Sequence, residues 1–197
     1  MDWSLVASEH RKVADFVCGD LVPQVEAAAS LITDSVRRGG IVYACGNGGS
    51  AADAQHFAAE LVNRFLLERD AYASIALTTD SSVLTSIAND YEYDRIFSRQ
   101  VEALGREGDL LLAISTSGNS PNIVEAVRVA RTKGMKSIGL LGGAGGALQD
   151  LVDVPLTVSV SSHTPRIQEG HLIIMHALCE LSEAALAQAP NPENSHE

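Results

Sequence analysis

Long apolar runs are missing from this chain: none reaches the roughly 18 residues of a membrane span, so no spanning segment is expected. Basic residues are scarce, with 14 Lys and Arg against 25 Asp and Glu and a net charge of −11. A nucleic-acid surface needs clustered Lys and Arg, so that class of partner is excluded. Cysteine is sparse. Cys18, Cys45 and Cys179 are odd in number and show no paired spacing, which implies neither a disulfide framework nor a cysteine zinc site. The N-terminus lacks a signal-peptide pattern, and the cytoplasm is the expected compartment. No Lys follows any glycine loop, which removes the Walker type of nucleotide site. What remains is ordinary globular composition, 46% apolar and 20% charged over 197 residues, the length of one domain with its own core.

Strands and helices alternate along most of that length. Residues 1–38 carry two amphipathic helices, one marked by Leu5, Val6, Val13, Phe16 and Val17, the other by Val25, Ala28, Ala29, Ile32 and Val36. Gly19 and Pro23 punctuate between them, and the pair reads as a helical hairpin covering a sheet or a partner subunit. Apolar runs at 41–45, 73–77, 109–114, 136–141 and 152–160 read as strands, each followed by turn residues and most by a helical pattern. Ser50 is the expected cap of the helix after the first strand, and Ser81 or Ser82 of the next. Pro121 suits the first position of a further helix. The last helix, Ile167 to about Ala187, is apolar over most of its circumference, which predicts burial on two sides. Alternation of this kind makes an α/β fold: a parallel sheet with helices on both faces. The domain is expected over 1–188, with a disordered tail at 189–197.

A parallel sheet places its binding residues in the loops beyond the carboxyl ends of its strands. The run from Gly46 to Glu60, Gly-Asn-Gly-Gly-Ser-Ala-Ala-Asp-Ala-Gln-His-Phe-Ala-Ala-Glu, is strand end, glycine turn and helix. The free N–H groups at that helix start suit a phosphate or another anion. Ser115-Thr116-Ser117-Gly118-Asn119-Ser120 offers hydroxyls ahead of a second helix N-terminus, and hydroxyls with backbone N–H groups hold phosphate without Lys or Arg. Asn89-Asp90 ends a third helix, where turn chemistry explains both residues equally well. Together these loops describe a pocket of small polar groups apt for a phosphorylated polyol. A dinucleotide reading of Gly46-x-Gly48-x-x-Ala51 is disfavoured: Asp80 lies beyond the expected acidic position and Glu68 precedes the second strand.

His56 and Glu60 stand at i and i+4 on one face of the glycine-loop helix. On the apolar last helix, Gln168 and His176 are polar residues that need partners. If that helix packs on the site, the four converge as a set of donors for zinc or a similar metal. The same Glu and His serve equally as proton-transfer base and acid. His171 falls on another face and reads as structural, and His10, His163 and His196 carry no case.

Gly46–His56, Ala88-Asn89-Asp90-Tyr91, Ser115–Ser120 and Arg166-Ile167-Gln168-Glu169 resemble the sugar isomerase (SIS) family, and within it the bacterial phosphoheptose isomerases, over about 39–187. The resemblance implies a three-layer fold with a five-stranded parallel sheet, a homotetramer with active sites between subunits, and conversion of sedoheptulose 7-phosphate to D-glycero-D-manno-heptose 7-phosphate in heptose synthesis for cell-envelope glycans. It implies Glu60 as base and His176 as acid, with zinc on His56, Glu60, Gln168 and His176. Substrate contacts are implied at Asn47, Gly48, Gly49, Asn89, Asp90, Ser115, Thr116, Ser117, Ser120 and Gln168. One departure is Leu141 before Gly142-Gly143, where relatives usually carry Thr. The same fold includes a non-enzymatic regulator of the bacterial replication initiator and isomerases of other sugar phosphates, and these are the alternatives. Glu60 and His176, absent from the regulator type, favour the enzyme.

Overall fold

The computed structural model describes residues 2–187. The tail at 189–197 lies outside the described residues. Five strands, β1 (Val42–Gly46), β2 (Ser74–Ala76), β3 (Leu110–Ser115), β4 (Lys136–Gly142) and β5 (Val154–Val158), form one sheet in the order β2-β1-β3-β4-β5. Every pairing is parallel. The central strands β1 and β3 are buried along their whole length, as continuous apolar runs in a doubly covered sheet should be.

Strand residues alternate between two cores. Val42, Ala44, Leu110, Leu112, Ile138 and Leu156 face a cluster closed by helices α1 (Trp3–Val17), α2 (Val22–Arg37), α3 (Gly49–Val62) and α7 (Thr164–Ala187). Tyr43, Cys45, Leu111, Ala113 and Leu141 face the other cluster, closed by α4 (Ser81–Asp90), α5 (Ser98–Leu104) and α6 (Pro121–Thr132). The layers are therefore helix, sheet, helix. α1 and α2 both pack on α7, which binds the N-terminal pair to the domain.

Local expectations change in three places. Ser50 lies inside α3 and is buried; the helix starts from Gly48, at φ 56°, with no side-chain cap. Asp80, not Ser81 or Ser82, caps α4 by accepting from the Val83 N–H at 3.0 Å. Its carboxylate is the stronger acceptor for a helix N–H. α7 buries one broad face, with Ile167, Ile174, Met175 and Leu178, while Leu172 and Leu181 stay exposed. Among the described residues no helix is long and apolar enough to cross a membrane.

Candidate active site

The order of strands sends the chain from β1 to a helix on one face and from β3 to a helix on the other. The loops after β1 and β3 thus part at a crevice, the switch point where α/β sheets bind ligands. Gly46 must be glycine there, since a Cβ would run into the Ser50 backbone. Asn47 and Asn122 bridge the crevice with a reciprocal amide pair, Asn47 Nδ2 to Asn122 Oδ1 at 2.9 Å and Asn122 Nδ2 to Asn47 Oδ1 at 2.8 Å. The Tyr93 hydroxyl also donates to Asn47 Oδ1, at 3.2 Å. Asn122 is buried and Tyr93 exposed, and neither is in the sequence-derived set. Asn122 follows the expected first helical residue directly, the one signal that pointed to it.

The hydroxyl loop after β3 folds back on itself and onto its neighbour. Ser115 and Ser120 Oγ lie 3.1 Å apart. Ser115 is buried at the strand end, Thr116 and Ser120 are half-buried, and Ser117 is exposed. Gly118 takes φ 65°, and a Cβ on it would overlap the Gly145 carbonyl, so the Ser loop and the glycine loop after β4 are in backbone contact. Asn119 ties the same two loops: its amide accepts from the Ala147 N–H at 2.9 Å and donates to Ser117 O at 3.0 Å. The departure at Leu141 leaves that residue fully buried in the strand, with its carbonyl taken by His171 Nε2 at 2.9 Å. Asn89 and Asp90 are exposed at the end of α4 and bonded to one another at 2.9 Å, a few residues before Tyr93.

α3 and α7 run side by side in the same direction from this crevice. At the near end, a Cβ on Gly49 would strike the Gln168 amide, so Gln168 lies against the head of α3. Further along, His56 Nε2 and Glu60 Oε1 are 3.0 Å apart. The His176 ring meets the His56 ring edge to face, with centroids 5.2 Å apart, and packs on Phe65 at 5.5 Å. His56, Glu60 and His176 are thus brought together, while Gln168 stays at the loop end. By helical rise Glu60 stands about 16 Å beyond Gly49 along α3. Among the described residues no three His, Cys, Asp or Glu side chains are spaced to hold one metal ion.

One turn before His56, Asp53 has a buried Oδ2 without a partner. Burial pushes its pKa up, and the neighbouring His56 offsets only part of this. His171 is enclosed on the sheet side of α7, as expected for a structural residue, and burial lowers its pKa to about 4 against the opposing Leu141 bond.

Residues 8–142 match the SIS domain family. A phosphoheptose isomerase of Geobacter sp. (strain M21) is 53% identical over 177 residues, 90% of this chain and 92% of its own. The structure of phosphoheptose isomerase GmhA from Neisseria gonorrhoeae superposes with a TM-score of 0.86 at 43% identity, covering 92% of this chain and 96% of that one. A phosphoheptose isomerase from Francisella tularensis gives a TM-score of 0.87 at 41% identity, over 92% and 95%. With a polar crevice at the sheet switch point and a His/Glu/His group on the neighbouring helices, the chain belongs to the SIS domain family and, within it, to the phosphoheptose isomerases.

Proposed function

We propose that the chain interconverts sedoheptulose 7-phosphate and D-glycero-D-manno-heptose 7-phosphate, with Glu60 and His176 as the proton-transfer pair. The observation that carries this reading is the meeting of a carboxylate and two imidazoles on α3 and α7, helices that rise from the crevice. In the ketose-to-aldose direction Glu60 takes a proton from C1, leaving a cis-enediol, and returns it to C2. His176 moves the hydroxyl proton from O1 to O2. The atoms balance, and no electron acceptor is consumed. The phosphate rests on Ser115, Thr116, Ser117 and Ser120 and on the N–H groups heading α3 at Gly48 and Gly49. Asn47, Asn89, Asp90 and Gln168 face the sugar hydroxyls.

Zinc is part of the proposal, held by His56, Glu60, His176 and Gln168. Nitrogen and oxygen donors of this kind suit it, although His56 and Glu60 engage each other and the Gln168 amide lies by Gly49. When bound, the ion would supply positive charge to offset negative charge developing on a sugar oxygen. His176 cannot ligate through the nitrogen that gives a proton, so zinc and the acid role compete for it.

A second copy of the chain is proposed to complete the site, in a homotetramer. Two features support this: the hydroxyl loop and Glu60 lie at opposite ends of α3, and Trp3, Leu5, Leu172 and Leu181 expose large apolar groups of the kind a partner covers. The cytoplasm is the proposed compartment.

The test is turnover of sedoheptulose 7-phosphate by the purified protein, with and without a chelator, beside Glu60→Gln. Wild-type turnover with a loss of at least about 10³-fold in Glu60→Gln and retained binding is expected. Near-normal turnover in Glu60→Gln refutes the base. Activity that survives chelation, with metal analysis showing none left, assigns His176 to acid chemistry alone.

A further inference from the structure

Beyond α3 the chain crosses residues 63–73 without regular structure before entering β2. That segment is held by an ion pair the mechanism does not use. Glu183, 2% exposed, points from α7 into the loop and takes four hydrogen bonds. Its donors are the N–H groups of Phe65 at 3.1 Å, Leu66 at 2.8 Å and Leu67 at 2.8 Å, and Arg69 Nε at 2.9 Å. Burial pushes the carboxyl pKa up, but the donors of Leu67, Leu66, Phe65 and Arg69 together outweigh it and hold it low, so the group stays charged.

The Arg69 guanidinium closes the other half. It donates to the carbonyls of Glu60 at 2.8 Å, Leu61 at 3.0 Å and Asp70 at 2.9 Å, and lies 3.9 Å over the Tyr72 ring. It therefore caps the last turn of α3, starting at the backbone of Glu60 itself. A pair this little exposed, 8% at the Arg69 side chain and 3% at Glu183, is a costly way to gain stability, because desolvation offsets most of the attraction. What it does provide is geometry, since every bond has a fixed direction and each end is anchored on a different helix. Between the two ends sits Phe65, whose backbone is bound by Glu183 and whose ring packs on His176.

We propose that the buried Arg69–Glu183 pair is a latch that holds Phe65 against His176 and fixes α3 to α7, so that Arg69, Glu183 and Phe65 are positioning residues for proton transfer. This rests on the reading of Glu60 and His176 as the reacting pair. A latch of this kind acts on the chemical step and leaves the phosphate loop at the far end of α3 untouched. Displacement of a reacting group by about 1 Å costs up to about 10²-fold in rate, so the effect belongs in kcat.

The experiment is steady-state kinetics on sedoheptulose 7-phosphate with Phe65→Leu, Phe65→Tyr, Arg69→Lys and the Phe65→Leu/Arg69→Lys double variant, with melting temperatures. The expected result is a kcat lowered about tenfold in Phe65→Leu, with KM within about twofold, and recovery in Phe65→Tyr, which keeps the ring. Arg69→Lys keeps the charge but loses the fork, and its kcat loss should overlap that of Phe65→Leu, so the double variant is no worse than the poorer single one. A folded Phe65→Leu enzyme with wild-type kcat overturns the proposal, as do losses that multiply in the double variant. If Arg69→Lys fails to fold, the two Phe65 variants decide alone. Glu60→Gln and His176→Gln distinguish failure of the reacting pair from failure of the latch. If they retain turnover, the reading of the reacting pair fails; if they lose it while Phe65→Leu is normal, only the latch fails.

Discussion

A single buried imidazole gives the chain a pH dependence of its own. The unfolded chain takes up a proton at His171 below about pH 6.5, whereas in the fold burial keeps that ring neutral down to about 4. Stability from this group is therefore complete above pH 6.5, falls as pH drops towards 4, and changes no further below that. Between pH 7 and 5 the loss should be about 2 kcal/mol. Glu183 and Asp153, whose pKa values the fold lowers, lose their contributions only at more acid pH. Urea unfolding at pH 7 and pH 5 measures the difference, and His171→Asn should flatten it; a slope unchanged by that substitution assigns the effect elsewhere. His171 was legible as structural from its helical angle, because angle decides which face a residue takes. Asp53 was not, since the sequence carries no sign of how deeply one oxygen is enclosed.

The two loops of the crevice depend on each other as elements. Gly118 is in the left-handed region at φ 65°, and the Gly145 carbonyl occupies the space of its missing side chain. Gly118→Ala should cost about 1–3 kcal/mol in backbone strain and push the glycine loop away from the Ser loop. The expected kinetic result is a KM for the sugar phosphate raised by about tenfold or more, with kcat less affected. Wild-type KM in a folded Gly118→Ala protein would show that the loop contact has no part in phosphate binding. The Ser loop was legible as an element, because hydroxyls ahead of a helix-starting proline define it locally. Its seating on the glycine loop was not, since Gly145 comes from a different strand. Ser50 shows the limit at this scale: as a cap it was the natural reading, but Gly48, at positive φ, caps the helix two residues earlier.

At the scale of the molecule, the proposed phosphate loop and the proposed base, Glu60, lie towards opposite ends of α3. If each site draws its phosphate loop and its carboxylate from different copies, two inactive variants should rescue one another. Glu60→Gln and a Ser115→Ala/Ser120→Ala chain, each inactive alone, should recover on co-refolding up to about a quarter of wild-type activity, the share expected from random mixing of site halves. Recovery would come with a tetramer mass in solution. No recovery from mixed, well-folded tetramers would place both halves on one chain.

The sequence by itself determined the α/β class, the strand succession, the glycine and hydroxyl loops and the His56/Glu60 pair. Each of these is written in spacing over a few residues, where helical and strand periods and turn chemistry are decisive. Tertiary structure alone decided the meeting of His176 with His56, the Asn47–Asn122 bridge, the place of Gln168 at the loop end and the burial of Arg69 against Glu183. Those contacts join residues far apart along the chain, and only the packing of α7 against α3 and of α6 against the switch point brings them within reach.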